Sequence, residues 1–70
     1  MNVIEKKEIC NLFTVTVDVF DTGKKIGDII TDEMGRKFVV DSVAMLNRTD
    51  ITIFVLTPLN GERKIGDVLY

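Results

Sequence analysis

Between residues 13 and 19 every odd position is apolar (Phe13, Val15, Val17, Val19), with Thr14, Thr16 and Asp18 between them. A period of two sets one face of an extended chain on a core and the other toward water. Four β-branched residues among positions 14–17 would crowd a helix, so the stretch is predicted to be a half-buried strand. The chain around it has 70 residues. That length allows one domain, residues 1–70, with one small core burying about 60% of the surface the unfolded chain exposes. Cys10 is the only cysteine and histidine is absent. Neither an internal disulfide nor the usual zinc ligand set is available to staple the fold.

Turn chemistry partitions the rest. The string Lys-Ile-Gly-Asp occurs at residues 25–28 and again at 64–67, followed by Ile29-Ile30 and by Val68-Leu69. Each copy reads as a turn feeding a strand, with Gly27 and Gly66 predicted to take the positive φ that other residues resist. Asp21-Thr22-Gly23 and residues 32–35 are polar turns, so residues 26–31 form a short strand between them. From Arg36 to Asn47 the apolar phase changes. Phe38 and Val40 belong to one parity, Val43 and Met45 to the other, and a β-bulge near Asp41-Ser42 restores both pairs to the core side. Residues 47–50 suit a hairpin connection. Residues 51–56 are apolar on both faces, as a central strand requires, because an uncharged apolar edge invites aggregation. Pro58 ends that strand, Asn60-Gly61 is a strong turn signal, and Val68-Leu69-Tyr70 is the closing strand. Residues 1–12 suit a frayed strand or a short amphipathic helix; strand is favoured because Ile9 runs into the Phe13 segment without a breaker. Cys10 then reads as a small, half-buried hydrophobe beside Ile9 and Leu12. The expected fold is all-β, a small antiparallel β-barrel, which removes exposed edges.

On Phe13-Thr14-Val15-Thr16-Val17-Asp18-Val19-Phe20, the Lys-Ile-Gly-Asp-Ile-Ile of residues 25–30, the strand of residues 38–45 and the Lys-Ile-Gly-Asp-Val-Leu of residues 64–69, the chain resembles the second domain of translational GTPases, the β-barrel of the elongation factor Tu type. The resemblance spans most of residues 13–70. It implies a stand-alone barrel trimmed by one strand pair, since Val19-Phe20 passes almost directly into Asp21-Thr22-Gly23 where that family has a glycine-rich hairpin. No Gly-x-x-x-x-Gly-Lys-Ser/Thr is present, so the nucleotide chemistry of those proteins does not carry over.

Motifs that carry chemistry are few. Asp21-Thr22-Gly23 matches the tripeptide of aspartic proteases, but Lys24-Lys25 follows where a small residue normally stands, and an Asx turn is the simpler reading. Asp18, Asp21, Asp28, Asp32 and Glu33 lack the spacing of a cation loop and read as a solvated rim. No catalytic, cofactor-binding or metal-ligating residue is expected. Lys24, Lys25, Arg36, Lys37, Arg63 and Lys64 form three basic pairs beside turns, the candidate contact residues on a chain of net charge −2. If those turns share one end of the barrel they suit RNA backbone or an acidic protein surface. The expected function is a non-catalytic binding or interaction module with a protein partner; the alternative is an RNA- or ribosome-associated module using the basic turn residues. Residues 1–8 lack the apolar core of a signal peptide and no run approaches the roughly eighteen apolar residues of a membrane span. A soluble cytoplasmic protein that does not engage membranes is therefore expected.

Overall fold

A computed structural model describes residues 1–44 and 50–70. Five strands, β1 (Val3–Ile9), β2 (Leu12–Val17), β3 (Ile29–Thr31), β4 (Lys37–Ala44) and β5 (Thr52–Pro58), form one antiparallel sheet in the order β1-β2-β5-β4-β3. The all-β expectation holds, and residues 1–12 contribute a strand rather than a helix. The alternating stretch is β2, whose Phe13, Val15 and Val17 are buried. The doubly apolar stretch is β5, at the centre of the sheet with β2 on one side and β4 on the other. The phase change in β4 is a register shift between Val40 and Ser42. The extra residue, Asp41, points away from the core and accepts a hydrogen bond from the Thr57 hydroxyl. The shift returns Val43 to the core side, opposite Phe54. Met45 and most of the expected 47–50 connection lie outside the described residues.

One hydrophobic core lies on the inner face, built from Phe13, Val15, Val17, Ile30, Phe38, Val40, Phe54, Leu56, Ile65 and Leu69, with the Phe13 and Phe38 rings tilted at 46° and 6.2 Å apart. A tilted pair at that separation adds quadrupole attraction to the burial of two large side chains. Phe20, placed by pattern in the opening strand, lies beyond the end of β2 and is exposed.

The sheet is not closed into a barrel, which corrects the expectation. β3 is short because the turn at residues 25–28, with Gly27 at φ 93°, takes the chain out of the strand conformation before Ile29. On the opposite edge β1 is met by residues 63–68 running antiparallel, mostly through side chains. Arg63 reaches Glu8 and the Asn11 carbonyl, and Lys6 donates to the Ile65 carbonyl at 2.8 Å. Ahead of and at the start of β1 the contacts are backbone ones: an Asn2–Val68 bridge, a bond from the Val3 N–H to the Asp67 carbonyl and a reciprocal pair between Met1 and Leu69. On its other side Asp32 bridges Leu69, and Thr31 and Tyr70 exchange backbone hydrogen bonds. The closing segment thus spans the gap between β1 and β3 as two isolated bridges instead of a continuous ladder.

Two further readings change. Cys10 is exposed, at the tip of the β1–β2 hairpin, where Cys10 (φ 50°) and Asn11 (φ 65°) are both left-handed. Two consecutive left-handed residues match the right-handed twist of the flanking strands, so the hairpin bends there despite carrying no glycine. The two Lys-Ile-Gly-Asp copies are not equivalent. Ile26 is 73% exposed whereas Ile65 is buried, and Gly66 is not among the positive-φ residues. A Cβ on Gly66 would instead collide with the Glu33 carboxylate, so the Glu33 side chain would have to shift and give up its bonds to the Asp67 and Val68 N–H groups. A Cβ on Gly27 meets nothing within 4 Å. Gly27→Ala is therefore expected to cost about 1–2 kcal/mol from backbone strain alone, whatever occupies position 33. Gly66→Ala is expected to couple to Glu33: in a Glu33→Ala background most of its cost disappears, read as a double-mutant coupling in urea denaturation of roughly 1 kcal/mol or more.

Candidate functional site

The basic pairs are distributed by the topology. The register Ile9↔Leu12, Phe13↔Leu56 and Phe38↔Pro58 brings the hairpin tip, the end of β5 and the start of β4 to one end of the sheet. Arg36 and Lys37 stand at that end, and Arg63 joins them through a 2.6 Å bond from its guanidinium to the Asn11 carbonyl. Lys64 follows Arg63 and is exposed. Lys24 and Lys25 lie elsewhere. Their turn is tied to Val40, farther along β4, by the Gly27 N–H to Val40 carbonyl bond and the Val40 N–H to Asp28 carbonyl bond. The pairs also differ in what holds them. Arg36 binds Asp32 at 2.8 Å and Arg63 lies 3.3 Å from Glu8, while Lys24, Lys25, Lys37 and Lys64 make no ion pair among the described residues.

The outer face of the sheet carries a feature that pattern reasoning missed. Because paired residues point to the same side, Ile9, Leu12, Thr57, Val39 and Ile29 form one row across all five strands. Ile9, Leu12 and Ile29 in this row are 51%, 49% and 43% exposed. Val55 and Ile53, half-buried, extend the apolar surface along β5. Lys7 and Glu5 occupy the same face of β1 and pair with each other at 3.3 Å. The apolar parity of β5 on both faces was the available signal; that the row crosses the whole sheet follows only from the register.

A second missed feature is a pair of acids. Asp32, expected on a solvated rim, is buried. Its Oδ1 accepts the N–H groups of Met34 (3.0 Å) and Arg36 (2.8 Å), and its Oδ2 accepts Arg36 Nε (2.8 Å) and the Gly66 N–H (2.9 Å). Adjacent Glu33, exposed, takes the N–H groups of Asp67 and Val68. These two side chains therefore hold three consecutive amides of the closing segment. Asp18 accepts the backbone N–H and side-chain amide of Asn2, the residue that bridges Val68. The hydrogen bonds at Asp21 and Thr22 are those of an Asx-type turn, as the tripeptide suggested. Among the described residues there is no cluster of acids, cysteine or histidine suited to a metal and no helix long and apolar enough to cross a membrane.

Burial by itself would raise the Asp32 pKa. The Arg36 N–H and guanidinium, the Gly66 N–H and the Arg36 charge together outweigh it and hold the carboxyl below its ordinary value. Asp18 is also lowered, by the backbone and then the side-chain hydrogen bond from Asn2. No family model, no curated protein and no solved structure matches the chain.

A carboxylate whose pKa is lower in the folded than in the unfolded state stabilises the fold above the unfolded value and loses that contribution as pH falls through the folded one. Stability is accordingly expected to be insensitive to Asp32 and Asp18 above about pH 5 and to decline below about pH 4, the unfolded aspartate value. Asp32→Asn should flatten part of that decline while costing about 1–3 kcal/mol at neutral pH, the scale of hydrogen bonds made to a charged group. Urea denaturation at pH 3 and pH 7 checks both.

Proposed function

We propose that the protein is a small non-catalytic binding module, related to the translation-factor domain 2 type in trimmed and open form, that presents the outer face of its sheet to a protein partner. The observation that carries this reading is the row Ile9, Leu12, Val39 and Ile29, in which three of the large aliphatic side chains are about half exposed on a rigid five-stranded surface. Exposed aliphatic side chains gathered on one face, here on either side of Thr57, are unfavourable in water and mark contact sites more often than isolated exposed residues do. The row runs between the hairpin end and the bulged half of β4, so backbone hydrogen bonding of the sheet holds its members in fixed positions. The likeness to domain 2 rests on the order of strands and turns and on a closing segment that returns beside the first strand.

A second reading is contact with RNA or the ribosome through Lys24, Lys25, Arg36, Lys37, Arg63 and Lys64. It is favoured by the gathering of Arg36, Lys37, Arg63 and Lys64 at one end and by the lysines there that lack an acidic partner among the described residues. Lysines of that kind release counterions on meeting phosphate.

The two readings separate on variants and salt. Leu12→Ser with Ile29→Ser removes apolar surface from the row, and replacing Lys24, Lys25, Lys37, Arg63 and Lys64 with glutamine removes the cations; Arg36 stays, because Asp32 depends on it. The protein-partner reading expects nuclease-resistant capture from native lysate that the serine variant abolishes, the glutamine variant retains, and salt weakens only slightly. Capture unchanged in the serine variant overturns it. Nuclease-sensitive capture, lost in the glutamine variant and falling by about 0.7–0.9 log units per log unit of salt for each phosphate contacted, establishes the RNA reading in its place.

A further inference from the structure

We infer that the gap between β1 and β3 is a strand-acceptor site, filled in cis by residues 65–70 and open to the same segment of a second copy of this chain. The segment behaves as an inserted element. Its attachments are Val3 N–H to Asp67 carbonyl, a reciprocal pair between Met1 and Leu69, Glu33 N–H to Val68 carbonyl and the exchange between Thr31 and Tyr70. To these the Asp32 and Glu33 carboxylates add the amides of Gly66, Asp67 and Val68. Ile65 and Leu69 fill the core from it. Every one of these partners belongs to residues 1–33 or to the core, and none belongs to residues 59–64, the exposed connection that delivers the segment from β5.

Backbone bonds hold the start of that connection, from Leu59 N–H to the Lys37 carbonyl and from Gly61 N–H to the Pro58 carbonyl, and beyond Gly61 its outside anchor is Arg63 on Asn11 and Glu8. A copy that swings this connection outward makes the identical contacts in its neighbour. Exchange of an identical element preserves the whole contact set, so dimer and monomer differ mainly in the connection and in the entropy of association. Intramolecular filling wins below the effective concentration of the tethered segment, on the order of millimolar for a short linker.

Pairing of two β1 edges is the competing route to a dimer, and it is obstructed in the closed chain, where residues 63–68 already lie along β1. The acceptor gap has no such conflict, since its occupant is the segment it already fits.

Thr31 and Tyr70 exchange both backbone bonds, the close pairing whose Cα separation of about 5.5 Å suits a disulfide. Two full-length chains, Cys10→Ser with Thr31→Cys and Cys10→Ser with Tyr70→Cys, are unfolded together in urea, refolded at millimolar concentration and oxidised. A 31–70 linked pair of chains on a non-reducing denaturing gel is the expected result. It should be several-fold weaker when the same mixture refolds at micromolar concentration, and stronger with Arg63→Ala. Deleting Asn60 and Gly61 shortens the connection by up to about 7 Å, and the mass measured by light scattering should then move from one chain to two. Absence of the 31–70 pair at millimolar concentration overturns the inference, as does a shortened chain that folds as a monomer.

Discussion

One buried carboxylate organises the part of this protein that the strand pattern cannot. Asp32 has no exposed surface on its side chain, and its two oxygens accept from Met34, Arg36 and Gly66. A buried charge is tolerated only where charge and hydrogen bonding compensate for lost water. Here the compensation comes from three places at once: the turn that Asp32 itself begins, the guanidinium at the start of β4, and a backbone amide 34 residues away. The turn, the β3–β4 hairpin and the closing segment are thereby tied to one atom pair. Glu33 extends the tie to Asp67 and Val68, which sets Leu69 and Ile65 into the core.

That tie explains how a short chain without a disulfide completes its core. The sheet supplies Phe13, Val15, Val17, Ile30, Phe38, Val40, Phe54 and Leu56 from one face, but a single curved sheet leaves its inner face open at the edges. Residues 65–70 cover the opening with two aliphatic side chains, held by a few backbone bonds on either side and by the Asp32 and Glu33 carboxylates. Among the described residues no such segment covers the row Ile9, Leu12, Val39 and Ile29 on the outer face. Its row of half-exposed aliphatic side chains and the cationic end lie on a framework whose centre, β5, is apolar on both sides.

Much of this was legible in the residues. Alternation located β2, the double apolarity of residues 51–56 placed β5 at the centre, and a parity change located the bulge at Asp41, because each signal depends only on neighbours along the chain. The basic pairs were legible as residues but not as a group: Arg36 and Arg63 reach opposite charges, and Lys24-Lys25 lie away from the end that the others share. Cys10 was misread because its apolar neighbours suggested burial, whereas the hairpin needs its left-handed backbone and leaves the side chain in solvent. The identical Lys-Ile-Gly-Asp strings were misread as equivalent. Gly27 serves a local turn, and Gly66 makes room for a carboxylate from a distant loop.

The sequence by itself determined that this is an all-β domain, where its main strands run, and where its chain turns, because period-two burial and φ preference are properties of a few adjacent residues. Only the tertiary structure decided which acid is buried, what Gly66 is for, that the sheet stays open, and that Ile9, Leu12, Val39 and Ile29 share one row. Each of those depends on which distant segment arrives beside a residue. Side-chain chemistry states what a group requires, a partner for a carboxylate or cover for an aliphatic chain, and the packing of the whole chain settles whether and from where that requirement is met.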